Sequence, residues 1–221
     1  MLYPEFLRRF GASVRTKNIL QPGEEKNPKK TARNARPHAL PEKSEAPREF
    51  IRLDPWEAEY LFIQAARARE GIVETGRFHG GSTFVMACAN ADAPIHSIDL
   101  APQDDAQLLS VLKQFDVGSN VDLIVGDSRK TRYDQIGAFD FLFIDGDHSY
   151  EGCFDDLNNW FPLLSPGGHV VLHDSYHGQP VMDAVADFCA QNDVYVVVPA
   201  YRTSNHWWHH AGSMAHFIKR R

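Results

Sequence analysis

Ile72-Val-Glu-Thr-Gly-Arg-Phe-His-Gly-Gly-Ser82 is an apolar run that ends in an acid and a glycine-rich turn, with a helical pattern after it. Such a run reads as a buried strand, and the turn as the strand-to-helix joint of a nucleotide-binding unit. Gly76 can take the positive φ of a tight joint, and Gly80 and Gly81 would let backbone N–H groups approach a ligand with no Cβ in the way. The same glycines would also serve a plain packing turn, so the rest of the chain has to decide.

The order of the glycines narrows the ligand. A dinucleotide fingerprint wants Gly-x-Gly-x-x-Gly with the pyrophosphate on the helix N-terminus, whereas this chain has Gly76-x-x-x-Gly80-Gly81 and puts Glu74 just before the turn. A carboxylate there repels a pyrophosphate and suits a cationic ligand such as S-adenosylmethionine (SAM), which carries an ammonium and a sulfonium. Four further apolar runs also end in polar residues. Pro94 to Asp99 delivers Asp99 with Leu100 beside it, at an offset from Glu74 suited to an acid that accepts both ribose hydroxyls. Val121 to Val125 leads to Gly126-Asp127-Ser128, whose side chains could meet an adenine amino group. Phe139 to Ile144 leads to Asp145-Gly-Asp-His148, and Gly168 to Leu172 leads to His173-Asp174. Open parallel sheets bind ligands at the carboxyl ends of their strands, where these residues would gather.

These residues resemble the class I SAM-dependent methyltransferases, in particular the branch called methyltransferase family 24. The resemblance rests on Glu74 to Ser82, Ser97-Ile-Asp99, Gly126-Asp-Ser128, Phe143-Ile-Asp-Gly-Asp-His-Ser-Tyr-Glu151 and Leu164-Ser-Pro-Gly-Gly-His-Val-Val-Leu-His-Asp174, and spans roughly residues 55 to 218. It implies an α/β fold with a Rossmann-like, seven-stranded, mostly parallel sheet and helices on both faces. It further implies an antiparallel last strand, SAM as cofactor and methyl transfer to a small acceptor. Glu74, Gly76, Gly80, Gly81, Ser82, Asp99, Leu100, Asp127, Ser128, Asp145 and His148 are the expected cofactor contacts.

Composition agrees with one such domain behind a tail. The apolar content of 43% in 221 residues suffices for a single α/β core, and no apolar run reaches transmembrane length. Cys88, Cys153 and Cys189 form no Cys-x-x-Cys pair, so neither a disulfide framework nor a zinc knuckle is expected. With no long apolar stretch at the N-terminus to act as a secretory signal, a cytoplasmic setting is expected. Residues 1–52 hold 12 Lys and Arg against 6 acids, leaving 11 against 23 for the remainder. Residues 1–50 therefore read as a basic, proline-rich flexible segment and 51–221 as the SAM-binding domain. The segment is a solvated linker, a lid over the substrate or a tether, with Tyr3, Phe6, Leu7 and Phe10 as an apolar end that could dock. The net charge of −6 argues against nonspecific nucleic-acid binding.

Alternation of strand and helix patterns places helices at 55–69, 80–90, 104–115, 151–164 and 180–192. Strands are expected at 71–75, 95–99, 121–125, 139–145, 169–173, 194–199 and 213–219. Asp54 as N-cap and Pro55 at the first position start the first helix.

Methyl transfer is an in-line displacement, so an acceptor must be positioned and its proton removed. His148 is the expected base, because imidazole titrates near neutrality; it could instead cap the next helix or stack on adenine. Asp145 and Asp174 should face one cleft as further catalytic residues, and two acids together call for a cation or a shared proton. In metal-dependent relatives matching positions bind Mg²⁺, followed by Asn or Asp; here Ser175 follows Asp174, which leaves both a metal-bound and a metal-free site open. Among 11 histidines, His79, His173, His177 and the cluster His206-Trp-Trp-His-His210 should lie near the cleft. Trp207 and Trp208 could stack on a flat acceptor, pack a hairpin or join two copies of the chain as a homodimer. Three functions follow: a methyltransferase acting on a small-molecule hydroxyl, a noncatalytic SAM-binding module, or an NAD enzyme on the same fold. Glu74 and the glycine spacing oppose the last.

Overall fold

The computed structural model describes residues 5–6, 50–130, 136–176, 178–200 and 211–220. Its helices are α1 (Pro55–Ala65), α2 (Gly81–Ala89), α3 (Asp105–Gln114), α4 (Tyr150–Trp160) and α5 (Pro180–Gln191). Its strands are β1 (Ile72–Thr75), β2 (Ile95–Asp99), β3 (Val121–Val125), β4 (Phe141–Ile144), β5 (His169–Leu172), β6 (Val194–Val198) and β7 (Ala215–Lys219). They form one seven-stranded sheet in the order β3-β2-β1-β4-β5-β7-β6. The first five strands pair in parallel, and β7 runs antiparallel to both β5 and β6. This is the expected Rossmann-like class I methyltransferase architecture.

Alternating side chains on the central strands feed two cores, since successive Cβ atoms point to opposite faces of a sheet. Ile72, Phe141, Phe143 and Val171 join the core under α1, α2 and α3, while Val73, Leu142, Ile144, Val170 and Leu172 join the core under α4 and α5. All are nearly devoid of exposure, as a parallel sheet covered on both faces requires.

Local chemistry sets the helix ends. Pro55 occupies the first turn of α1, and the Asp54 N–H donates to Glu57 Oε2 at 2.8 Å. The helix stops at Ala65, short of the expected Arg69, and the Asn90 side-chain amide donates to the carbonyls of Ala65 and Ala68 beyond its last turn. The expected helix at 151–164 divides into α4 and a 3₁₀ turn at Phe161–Leu163, because Pro162 cannot donate the amide that would continue it. Ser149 starts α4, its hydroxyl accepting from the Gly152 N–H at 3.0 Å. Among the described residues no helix is long and apolar enough to cross a membrane.

Two residues of the expected tail are well anchored in the core. Phe6 has no exposure and sits 5.4 Å from the ring of Phe62, and Phe50 packs edge-on to Phe84. Tyr3, Leu7 and Phe10 lie outside the described residues, as do His177 and the whole stretch from His206 to His210 with Trp207 and Trp208.

Candidate active site

Sequence order in the sheet reverses between β1 and β4, so the chain leaves the carboxyl ends of these neighbours in opposite directions and opens a crevice. A cleft of about 560 Å³ lies there, within the size range of a small-molecule site. Gly76, Ser82, Asp99, Leu100, Asp127, Ser128, Asp145, His148 and Asp174 line it.

At its centre the glycine turn crosses under β4. Gly76 has φ +84°, and a Cβ there would run into the backbone carbonyl of Asp145. Asp99 ties the turn to β2: Oδ2 accepts the N–H groups of Arg77 and Phe78, both at 2.9 Å, and Oδ1 accepts the Ala101 N–H at 2.7 Å. Each carboxylate oxygen has two acceptor positions, so Asp99 keeps one, on Oδ1, for a ligand hydroxyl. Arg77, which the sequence did not single out, is 2% exposed and locks the turn from behind. It forms a two-point ion pair with Asp105 at 2.6 and 2.7 Å and donates to the carbonyls of Ser97 and Ile124.

Three expected contacts have scaffold roles. Glu74 has no exposure; Ser82 and Thr83 donate to it at 2.5 Å and Ser97 at 2.6 Å. Burial raises its pKa, against these hydroxyl bonds. It therefore braces the turn from beneath. Gly80 caps α2 with φ +84°, and a Cβ there would strike Leu108, while a Cβ on Gly81 would lie 2.5 Å from the Phe50 carbonyl oxygen. The pair makes room for α3 and for residues 50–51, and neither lines the cleft.

Beyond β3, Asp127 is paired with Arg129 and Lys130, both at 3.0 Å, and the Arg129 hydrogen bond leads in holding its pKa well below the usual carboxylate range. Ser128 donates to Asp156 at 2.7 Å.

The opposite wall carries an alternating array of acids and imidazoles. His148 lies between two carboxylates, with Nε2 3.3 Å from Asp145 and Nδ1 3.5 Å from Asp174, and its side chain is 47% exposed to the cleft. Asp145 also meets His173 Nδ1 at 3.1 Å, and His173 Nε2 is 3.1 Å from Glu57, a residue with no exposure. Glu57 in turn accepts from the N–H and hydroxyl of Ser213. Burial works to lower the His173 pKa, but Asp145 and Glu57 outweigh it and hold the value well above the ordinary imidazole range. Burial works to raise Asp145, and His173 followed by His148 overcomes it, so this acid is lowered. The hydrogen bond to Asp145 leads in raising His148. Asp174 has φ +52° and Phe78, also at the cleft, the same value, a conformation that non-glycine residues adopt rarely and mostly where the surroundings enforce it.

Asp145, His148 and Asp174 can place one ligand atom each within 4.8 Å of one another. Two carboxylate oxygens fit Mg²⁺, which fills its remaining positions with water, whereas an imidazole nitrogen suits a later transition metal better. Ser175 has no exposure and does not line the cleft, and its buried hydroxyl has no hydrogen-bond partner among the described residues.

Comparison with known proteins agrees with this geometry. Residues 73–175 match the model of a family described as a methyltransferase domain. A mimivirus protein, uncharacterized protein R132 of Acanthamoeba polyphaga mimivirus, is 32% identical over 128 residues, which cover 51% of this chain and 56% of the viral one; the chain thus spans just over half the length of that relative. Among solved structures, the O-methyltransferase NovP superposes with a TM-score of 0.61 at 18% identity, covering 76% of this chain and 81% of its own. The O-methyltransferase TomG of Streptomyces achromogenes, involved in tomaymycin synthesis and solved with SAM, gives 0.57 at 18%, covering 77% and 82%. The Podospora anserina methyltransferase PaMTH1, solved with S-adenosylhomocysteine (SAH), gives 0.58 at 17%, covering 74% and 77%. With this sheet order, a cleft at its switch point and these structural neighbours, the chain has the class I methyltransferase fold, and residues 73–175 match a methyltransferase-domain family.

Proposed function

We propose that the chain is a SAM-dependent methyltransferase that moves the sulfonium methyl to a hydroxyl of a small molecule such as a sugar, a phenol or a related natural product. The observation that carries this reading is the pairing, in one cleft, of a nucleoside wall with an acid–imidazole wall. Asp99, anchored by three backbone N–H groups, would accept a ribose hydroxyl at its remaining position, and Asp127 and Ser128 would face the adenine amino group. Across the cleft His148, the most exposed member of the acid–imidazole array described above, stands where an acceptor would enter. The acceptor oxygen attacks the methyl carbon, the carbon–sulfur bond breaks to leave SAH, and the hydroxyl proton passes to a ring nitrogen of His148. Asp145 orients that ring through Nε2, which leaves Nδ1, on the side of Asp174, to take the proton. The same two acids would hold Mg²⁺ if the enzyme uses it, and the ion would then polarise the acceptor oxygen. That two of the fold neighbours are O-methyltransferases supports a hydroxyl acceptor. The cytoplasm is the proposed setting, given three separate cysteines that the structure leaves free.

Calorimetry with SAH, followed by labelled methyl transfer to a panel of sugars and phenols, tests the reading. The wild type should bind SAH, and Asp99→Ala should weaken binding about ten- to a hundredfold through loss of one charge-assisted bond. His148→Ala should retain SAH and slow transfer by roughly 10² to 10⁴. A wild-type protein indifferent to SAH would sink the proposal.

A further inference from the structure

Ser128 is held at two of its atoms by a single helix. Its hydroxyl donates to Asp156 Oδ1 at 2.7 Å, and its carbonyl accepts from Asn159 Nδ2 at 2.6 Å and Trp160 Nε1 at 3.1 Å, all from α4. Asp156 is 1% exposed, and its second oxygen accepts the hydroxyl of Thr75 at 2.9 Å, a residue with no exposure at the end of β1. A serine hydroxyl has one proton and two lone pairs. With the proton committed to Asp156, Ser128 can offer the cleft lone pairs only. Asp127 beside it, ionised and paired with Arg129 and Lys130, is likewise an acceptor.

We propose that Asp156 is a positioning residue that fixes the hydrogen-bonding polarity of the nucleoside end of the cleft, so that the site takes a 6-aminopurine and rejects a 6-oxopurine. This rests on the SAM reading above. An adenine amino group brings protons to these acceptors. A 6-oxo group brings a third set of lone pairs, and a site built to receive a donor discriminates strongly against a ligand that lacks one.

Asparagine at position 156 would reverse the filter. Its amide offers one acceptor and one donor, and Thr75, fully buried, needs the acceptor. The amide nitrogen would therefore turn to Ser128, whose proton would swing toward the cleft. The test compares binding of SAH with binding of S-inosylhomocysteine, its 6-oxo counterpart, by calorimetry on the full chain. The wild type should prefer SAH by at least about tenfold, and Asp156→Asn should erase most of that preference. Ser128→Ala should lower it too, and adding Asp156→Asn to Ser128→Ala should change little more, because Asp156 acts through Ser128. Should Asp156→Asn fail to fold, Ser128→Ala alone decides, and an undiminished preference in it overturns the proposal. So does a folded Asp156→Asn that keeps the wild-type ratio, or an Asp156→Asn effect that survives in full without the Ser128 hydroxyl. A wild type that binds SAH and the 6-oxo analogue equally refutes the polarity filter alone; one that binds neither refutes the SAM reading and this inference with it.

Discussion

His216 on β7 is a buried imidazole that does not line the cleft, and its environment gives it a defined charge state. It is 2% exposed, with Nδ1 2.6 Å from the Tyr60 hydroxyl and Nε2 2.9 Å from His169 Nδ1. A neutral ring satisfies both contacts: Tyr60 donates to Nδ1, and Nε2–H donates to His169. Burial first, and His169 second, push its pKa down to about 3. An unfolded histidine titrates near 6.5, so as pH falls the unfolded chain binds this proton before the folded one does. The neutral ring's contribution is therefore complete above about 6.5 and drains away as pH drops toward 3, on the order of 3 to 5 kcal/mol in all. Urea midpoints measured from pH 7 to pH 4 should fall steadily for the wild type and less steeply for His216→Gln. Parallel curves for the two proteins would show that the ring does not carry this acid sensitivity.

The glycine turn illustrates what is legible at the level of elements. Strand and helix alternation, the switch from β1 to a helix through Gly76, and acids at the strand ends all follow from periodicity and turn chemistry, and all five cleft-forming strands occur where the apolar runs lie. Strand ends drift by a residue or two, since pairing and not hydrophobicity terminates them. The antiparallel β7 came only with the family resemblance, because periodicity has no direction. The partner that fills a glycine's missing Cβ is equally invisible when it comes from a distant segment, as Phe50 and Ile51 do at Gly81. Glu57 meets His173 across 116 positions, and nothing in the order of residues signals that pair. Gly81→Ala would place its Cβ 2.5 Å from the Phe50 carbonyl oxygen and 2.7 Å from the Ile51 Cα, both backbone atoms. Overpacking of this kind costs about 1 to 3 kcal/mol, which a lowered urea midpoint with unchanged slope would report. A midpoint equal to wild type would mean that residues 50–51 give way freely.

Across the whole molecule, the cleft joins two halves of the sheet, each of which feeds both cores. Gly76, Asp99 and Ser128 reach it from the β1–β3 side, and Asp145, His148 and Asp174 from β4 and β5. A ligand with a nucleoside at one end and an amino-acid group at the other touches both sides only when the fold is intact, so its binding energy adds to stability. At a hundredfold excess over its dissociation constant, SAH should contribute about 2.7 kcal/mol. For a domain of this size that raises the thermal midpoint by roughly 5 to 10 °C. Adenosine, which fills only the nucleoside wall, should need far higher concentrations for the same shift, and Asp99→Ala should remove most of the SAH effect. NAD should give no comparable shift, because Asp99, Asp127, Asp145 and Asp174 set four carboxylates around the cleft where a pyrophosphate would have to lie. A midpoint raised equally by NAD and SAH would instead identify a general nucleotide groove, and the acid-lined wall would then need a different ligand.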